Sequence, residues 1–254
     1  MLRKLHRNFA FHLQTSLLIN NKFVNSTNRA TFPAFNPTTE ERIADVQLAG
    51  DNDVADAVSA ARSAFDRGPW RFMSGRDRGK LLIKLADLIE KHAKDLAHVE
   101  TIDNGKPIHN VMNIDIPLSV DTYRYYAGLA NNIKGNTIPI HGNYACYTRK
   151  EPVGAVAQII PWNFPILMQA WKLSHALAAG CTVILKPAEQ TPLTALLIGE
   201  LIVEAGFPPG VVNILTGFGE TGESLVLHPD VDKIVFTGST EIGHKIIKIS
   251  EIPA

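Results

Sequence analysis

Cysteine is scarce in this 254-residue chain: only Cys146 and Cys181 are present, and they are not in C-x-x-C spacing. That excludes a disulfide framework and a cysteine zinc site, and it points to a reducing compartment. The nine histidines are scattered without ligand spacing, so no metal site is expected. Neither sign of charge is in excess, since 25 Lys and Arg balance 25 Asp and Glu. A balanced chain gives no electrostatic case for a nucleic acid or an acidic membrane surface as partner. No apolar run approaches the length that crosses a bilayer. Three catalytic signatures are also missing: Tyr-x-x-x-Lys, the G-x-S-x-G elbow and H-E-x-x-H.

Acidic residues are absent before Glu40, while Arg3, Lys4 and Arg7 stand near the start. Residues 1–16 therefore fit a mitochondrial transit peptide, with a short basic tail leading into the first strand as the alternative. The apolar stretch of a secretory signal is missing. A cytoplasmic location is expected, with a mitochondrial one as the alternative.

What is present is an ordinary soluble composition, 45% apolar and 20% charged. Its most informative stretch runs from Val153 to Pro192. Val153 to Ile160 is a nearly unbroken apolar run, as in a parallel strand buried on both faces. Pro161-Trp162-Asn163 leaves it, and Pro165 suits the first helical position. Ile166, Leu167, Ala170, Trp171, Leu177 and Ala178 follow helical spacing, and Gly180 is a stop. Thr182 to Leu185 is a second buried strand, which ends at Lys186-Pro187-Ala188-Glu189. A βαβ unit brings both strand ends to one side of its sheet, where open α/β folds bind ligands. Asn163, Lys186 and Glu189 should therefore share one crevice.

Upstream, residues 17–136 read as a strand pair and a helical cluster. Leu17 to Val24 is a hairpin around Asn20-Asn21. Helices are expected from Asp51 to Phe65, from about Asp77 to His98, and from about Asp115. Residues 137–151 change period: Ile138-Pro139-Ile140 and Tyr144 to Arg149 flank His141-Gly142-Asn143, a hairpin that either meets a partner chain or lies on its own domain. Residues 152–254 continue with a helix to Glu204, a strand from Val211 to Leu215, a helix from Glu220, a strand from Lys233 to Thr237 and a helix from Ser239. The alternation predicts an α/β fold: a doubly wound, Rossmann-like parallel sheet of about four strands, with the helical cluster and a protruding β-hairpin added. The fourth strand or its neighbour is expected to be an apolar sheet edge.

Two glycine-bounded turns follow strands. Gly217-Phe218-Gly219-Glu220-Thr221-Gly222 matches the dinucleotide fingerprint, but it follows the third strand of the series, where a tight packing turn is the competing reading. Gly238-Ser239-Thr240-Glu241-Ile242-Gly243 offers free N–H groups and the Ser239 hydroxyl to a pyrophosphate. Glu189 is placed to accept from ribose hydroxyls, and its charge opposes a 2′-phosphate, which favours NAD over NADP. Lys186 ends a buried apolar strand, which suits an anion or a sugar better than plain surface. Neither cysteine has a base beside it, so both read as inert thiols.

The segments EPVGAVAQIIPWNFPILMQAWK, LKPAEQTPLTAL, EAGFPPGVVNILTGFG and VDKIVFTGSTEIG closely resemble the NAD-dependent aldehyde dehydrogenases. The nearest group is that of the cytosolic and mitochondrial enzymes acting on acetaldehyde and retinal. LLINNKFV, FPAFNPTTEE, LADLIE, DNGKP, YRYYAG and TIPI extend the similarity from about Leu17 to Ile247. The resemblance implies that Asn163 donates to the oxyanion formed during catalysis. Ile159, Ile160, Pro161 and Trp162 would line the NAD crevice, and Lys186 and Glu189 would hold the adenosine ribose. Gly219 and Ile242 would border the adenine, and Gly238 and Ser239 would meet the pyrophosphate. The 137–151 hairpin would serve as an arm for homo- or hetero-oligomers, and the substrate would be an aldehyde. The general-base glutamate and the nucleophilic cysteine of the family fall beyond GSTEIG. The expectation is thus an NAD-binding half without the catalytic domain. The alternative is a non-catalytic subunit that modulates the assembly of full-length relatives.

Overall fold

The structure is a computed structural model that describes residues 13–250. The transit peptide expected within residues 1–16 thus lies largely outside the described residues. Leu13 already packs against the core, and Gln14 donates to Glu200 at 3.1 Å.

The main sheet is built from β1 (Leu17–Ile19), β2 (Lys22–Val24), β7 (Ala155–Ile159), β8 (Thr182–Lys186), β9 (Val212–Ile214) and β10 (Lys233–Phe236), in the order β10-β7-β8-β9-β1-β2. β3 (Thr31–Phe35) pairs with β4 (Arg42–Gln47), and β5 (Thr137–Ile138) with β6 (Cys146–Tyr147), in two separate ribbons. Helices α1 (Asp51–Asp66), α2 (Pro69–Phe72), α3 (Gly75–Lys91), α4 (Ala93–Asn104), α5 (Ile108–Asn110) and α6 (Ile116–Leu129) precede the β5–β6 ribbon. A π-helical turn over Val111–Asp115 leads into α6. Helices α7 (Pro165–Ala179), α8 (Leu193–Ala205), α9 (Gly219–Val226) and α10 (Thr240–Ile249) connect or follow the parallel strands.

β7 and β8 pair in parallel from Ala155↔Thr182 to Ile159↔Lys186. β10 joins β7 on one side and β9 joins β8 on the other, both in parallel. Alternate residues along these strands enter two different cores, as the pleat requires. Val156, Val183, Leu185, Val212 and Ile214 pack with residues of α3, α4, α6, α7 and α8. Ala155, Ala157 and Ile184 pack with Val54, Ala57, Val58 and Ala61 of α1 and with Leu225 of α9. Both faces are therefore covered, which is why the strands read as unbroken apolar runs.

Four departures from the sequence expectation have physical causes. The sheet has six strands and is mixed, because the β1–β2 hairpin adds to β9 in antiparallel register, Leu18 opposite Ile214. Asn20 and Asn21 take positive φ values of 54° and 60°, as a two-residue hairpin turn demands. Asn213 Oδ1 accepts from the Asn20 N–H at 2.9 Å, which fixes that turn to β9. Second, the first parallel strand starts at Ala155, and Val153 is 51% exposed. Gly154 sits at φ +132°, and a Cβ there would meet Asp232 Oδ2 at 1.8 Å. That carboxylate accepts from the Ala155 N–H at 2.7 Å and from Arg62 at 2.6 Å, so the strand begins one residue past it. Third, the helix expected from Asp77 to His98 is two helices, broken at His92 (φ −101°, ψ 18°). Fourth, the 137–151 hairpin pairs over only Thr137↔Tyr147 and Ile138↔Cys146. Pro139 has no N–H to continue the ladder, so the connection is longer than the expected three residues. Ile138, Ile140, Tyr144 and Tyr147 are exposed on this ribbon.

Candidate functional site

The carboxyl ends of β7, β8 and β10 open on the same side of the sheet. After β7, Pro161, Trp162 and Asn163 turn toward α7. β8 delivers Lys186, and the chain then turns through Pro187, Ala188 and Glu189. After β10, Thr237 and Gly238 lead to Ser239, and α10 begins. Backbone hydrogen bonds keep these ends level: Ile160 N–H donates to Lys186 O at 3.2 Å, and Thr237 N–H to Ile159 O at 3.1 Å.

A cavity of about 630 Å³ lies between these turns and the helices α9 and α10. Ile159, Ile160, Pro161, Trp162, Asn163, Lys186, Glu189, Gly219, Gly238, Ser239 and Ile242 all line it. The structure thus brings these eleven residues to one cavity, whereas Gly217 and Gly243 of the two glycine-bounded turns lie outside its lining. Its size is in the range of small-molecule and cofactor sites.

Lys186 is only 4% exposed. Its ammonium donates to Pro187 O at 3.1 Å and lies 3.6 Å from Glu189 Oε2. Burial pushes its pKa below the ordinary lysine value, and the Glu189 carboxylate partly opposes that fall. A lysine ammonium has three donors. One carbonyl and one carboxylate leave donor capacity for a ligand oxygen. Glu189 is half-buried and also accepts from Gln190 Nε2 at 3.1 Å. Cation and carboxylate side by side can grip a vicinal diol, one donating and the other accepting.

Ser239 caps α10, its Oγ accepting from the Ile242 N–H at 3.3 Å. The hydroxyl proton stays available to donate. On α9, Gly222 stands close to Ile159 and Lys186, where an added Cβ would lie 3.6 Å from Ile159 Cδ1 and from Lys186 Cδ. Gly219 has open space around it. Gly217 is different: a Cβ would meet Thr221 Oγ1 at 2.1 Å, which makes that glycine a requirement of the turn itself.

Several lining residues carry weak sequence signals. Phe236 sits opposite Ile159 in the β10–β7 register, and its ring lies against Gly238. Only that register reveals it. Glu223 and Lys245 form an ion pair at 2.9 Å between α9 and α10 at the cavity wall. Lys245 is three residues beyond Ile242, so helical spacing alone could have found it.

Two buried acids behind the crevice had no sequence signal. Glu100 Oε2 accepts from the Ile166 N–H at 3.1 Å at the start of α7. Asp103 Oδ2 accepts from the Leu193 N–H at 2.9 Å at the start of α8. Each satisfies a free N–H of a buried helix terminus, which the chain must do somewhere. Burial, and secondarily the nearby Asp115 charge, push Glu100 up to about 8. Burial also pushes Asp103 up to about 8, against its two backbone hydrogen bonds.

The thiols lie elsewhere. Cys181 is buried just before β8, and Cys146 is half-buried in the β5–β6 ribbon; both are free. Among the described residues, no group of three or more His, Cys, Asp and Glu could hold a metal ion. Among them too, no helix is long and apolar enough to cross a membrane.

Comparison with known proteins gives a family match over residues 23–253, to the aldehyde dehydrogenase family. The mitochondrial aldehyde dehydrogenase of Homo sapiens is 55% identical over 232 residues, covering 91% of this chain and 45% of that protein. Aldehyde dehydrogenase family 2 member B4, mitochondrial, of Arabidopsis thaliana is 53% identical over 237 residues, covering 93% and 44%. Among solved structures, the NAD+ complex of an aldehyde dehydrogenase from Bacillus cereus superimposes with a TM-score of 0.92 at 52% identity, covering 93% of this chain and 48% of that one. The chain spans about half the length of the curated relatives it matches.

Proposed function

The chain belongs to the aldehyde dehydrogenase family, and from that premise we propose that it carries the NAD-binding part of an enzyme oxidising aldehydes to carboxylic acids. The observation that carries this reading is the cavity where Lys186 and Glu189 meet Ser239 and the β7 turn. The residues fit the cofactor. Lys186 has spare donor capacity, Glu189 suits ribose hydroxyls, and the α10 start with Ser239 suits a pyrophosphate. Ile242 and the open space at Gly219 suit a flat base. When bound, NAD supplies the hydride acceptor of the reaction.

The chain's own contribution is binding, orientation and one donor. Asn163 stands exposed on the turn after β7, where its amide can donate to an oxyanion developing on the substrate. Neither cysteine lines the crevice, and both are inert thiols in this reading. The thiolate nucleophile and the general base are supplied from outside the described residues. The exposed 137–151 ribbon, with Ile140, Tyr144 and Tyr147 outermost, is read as the arm through which copies or relatives assemble. That surface also supports a second reading, a non-catalytic subunit that modulates the assembly of full-length relatives. Two free cysteines suit the cytoplasm, and mitochondrial relatives make the mitochondrion the alternative compartment.

Titration calorimetry of the purified chain with NAD and NADP tests the nucleotide reading. NAD should bind, NADP should bind more weakly, and Glu189→Gln should narrow the gap by removing the charge that repels a 2′-phosphate. Failure to bind either nucleotide would refute it. Co-purification with a co-expressed full-length relative, lost on deleting residues 139–145, is the result expected of the second reading.

A further inference from the structure

Three side chains from one short stretch of chain hold the Asn163 turn from behind. Asn104 donates through Nδ2 to the Trp162 carbonyl at 2.6 Å. Lys106 sets its ammonium 3.6 Å from the centroid of the Phe164 ring and pairs with the buried carboxylate of Asp115. Glu100, with no exposed surface, accepts from the Ile166 N–H at 3.1 Å. The three contacts fall on residues 162, 164 and 166. They bracket Asn163 while its own side chain stands at the exposed crevice surface. The same stretch reaches the second wall: Asp103 accepts from the Leu193 N–H, which closes the turn that follows Glu189.

Filling this volume would not require such groups. Apolar residues of similar size pack a core without the desolvation cost of a buried carboxylate and a buried ion pair. What the polar groups add is direction, since each hydrogen bond fixes one backbone atom of the turn. Displacement of a catalytic donor by about 1 Å is enough to lose most of its effect.

We propose that Glu100, Asn104 and Lys106 are positioning residues, a clamp that fixes where Asn163 stands relative to Lys186 and Glu189. The idea rests on reading the crevice as an NAD site. The clamp acts through Trp162, Phe164 and Ile166 and touches no ligand itself.

The test uses the whole chain labelled with 5-fluorotryptophan, which carries three tryptophans, Trp70, Trp162 and Trp171. NAD affinity is titrated on the same samples. Asn104→Ala should shift or broaden the Trp162 fluorine resonance and leave those of Trp70 and Trp171 in place. It should also weaken NAD binding about tenfold, equivalent to about 1.4 kcal/mol. Glu100→Ala should do the same. Glu100→Gln, whose amide oxygen still accepts from Ile166, should restore both readouts. If Glu100→Ala does not fold, Asn104→Ala decides, because it removes a single hydrogen bond. A folded Asn104→Ala with an unchanged Trp162 resonance overturns the clamp. A displaced Trp162 with unchanged NAD affinity overturns its link to the site. If the parent chain binds no NAD, the nucleotide reading fails separately, and the fluorine spectra still decide the clamp.

Discussion

Asp103→Asn should remove a pH dependence of stability and leave the chain more stable than the parent toward pH 8. In the folded chain Asp103 is buried, caps α8, and has its pKa pushed up to about 8 from an ordinary 3.8. The cause is burial, which disfavours the charged form. Between those two values the unfolded chain ionises this carboxyl and the folded chain keeps it protonated. Folding therefore binds an extra proton there, and stability falls as pH rises from about 4 to about 8. A span of about four units at 1.36 kcal/mol each gives on the order of 5 kcal/mol. That is a large part of the 5–15 kcal/mol typical of a domain. The asparagine amide keeps an oxygen for the Leu193 N–H and has nothing to ionise. Urea midpoints of both proteins, measured from pH 5 to pH 8, give the difference directly. The parent midpoint should fall steeply relative to the variant over that range, with the two curves converging toward pH 5. Parallel curves would refute the argument, since they would mean that Asp103 has the same proton affinity folded and unfolded.

Other consequences can be checked by similar means. Lys186→Met should leave the fold intact, as a linear apolar side chain fills the same buried channel, while NAD affinity measured by calorimetry drops about tenfold or more for a lost charge-assisted bond. Leu185→Ala empties a fully buried position between β8 and the α7–α8 layer, and a denaturation midpoint should report a loss of about 2–5 kcal/mol. Gly154→Ala meets both φ +132° and the Asp232 carboxylate, so it should destabilise, by more than the roughly 1 kcal/mol that the same change gains at an unstrained position. Pairing Gly154→Ala with Asp232→Ala should recover part of that loss, and strict additivity would contradict the collision.

How much of this was legible depends on how local each cause is. β7, α7 and β8 could be read because each is decided within a few residues: an apolar run, a proline at the first helical position, a glycine stop at Gly180. Once that unit is granted, its connectivity alone sends Asn163, Lys186 and Glu189 to one side of the sheet. The alternation downstream does the same for Gly219, Gly238, Ser239 and Ile242. The antiparallel addition of β1 to β9 was not legible, because it pairs Leu18 with Ile214 across most of the chain and no short pattern encodes a partner. The break at His92 was invisible for a related reason, since Leu88, Ile89 and Leu96 keep core spacing on both sides of it. Glu100 and Asp103 are the most instructive case. An acidic residue on an amphipathic helix reads as its solvated face, and only the approach of two other helix termini turns these two inward. Residues that face a ligand lie at the ends of locally encoded elements, and topology gathers them. Residues that hold those ends in place answer to backbone groups contributed from elsewhere, which exist only once the fold does. The first kind can be found by reading strand ends. Finding the second kind requires asking, of every buried helix terminus, which side chain satisfies it.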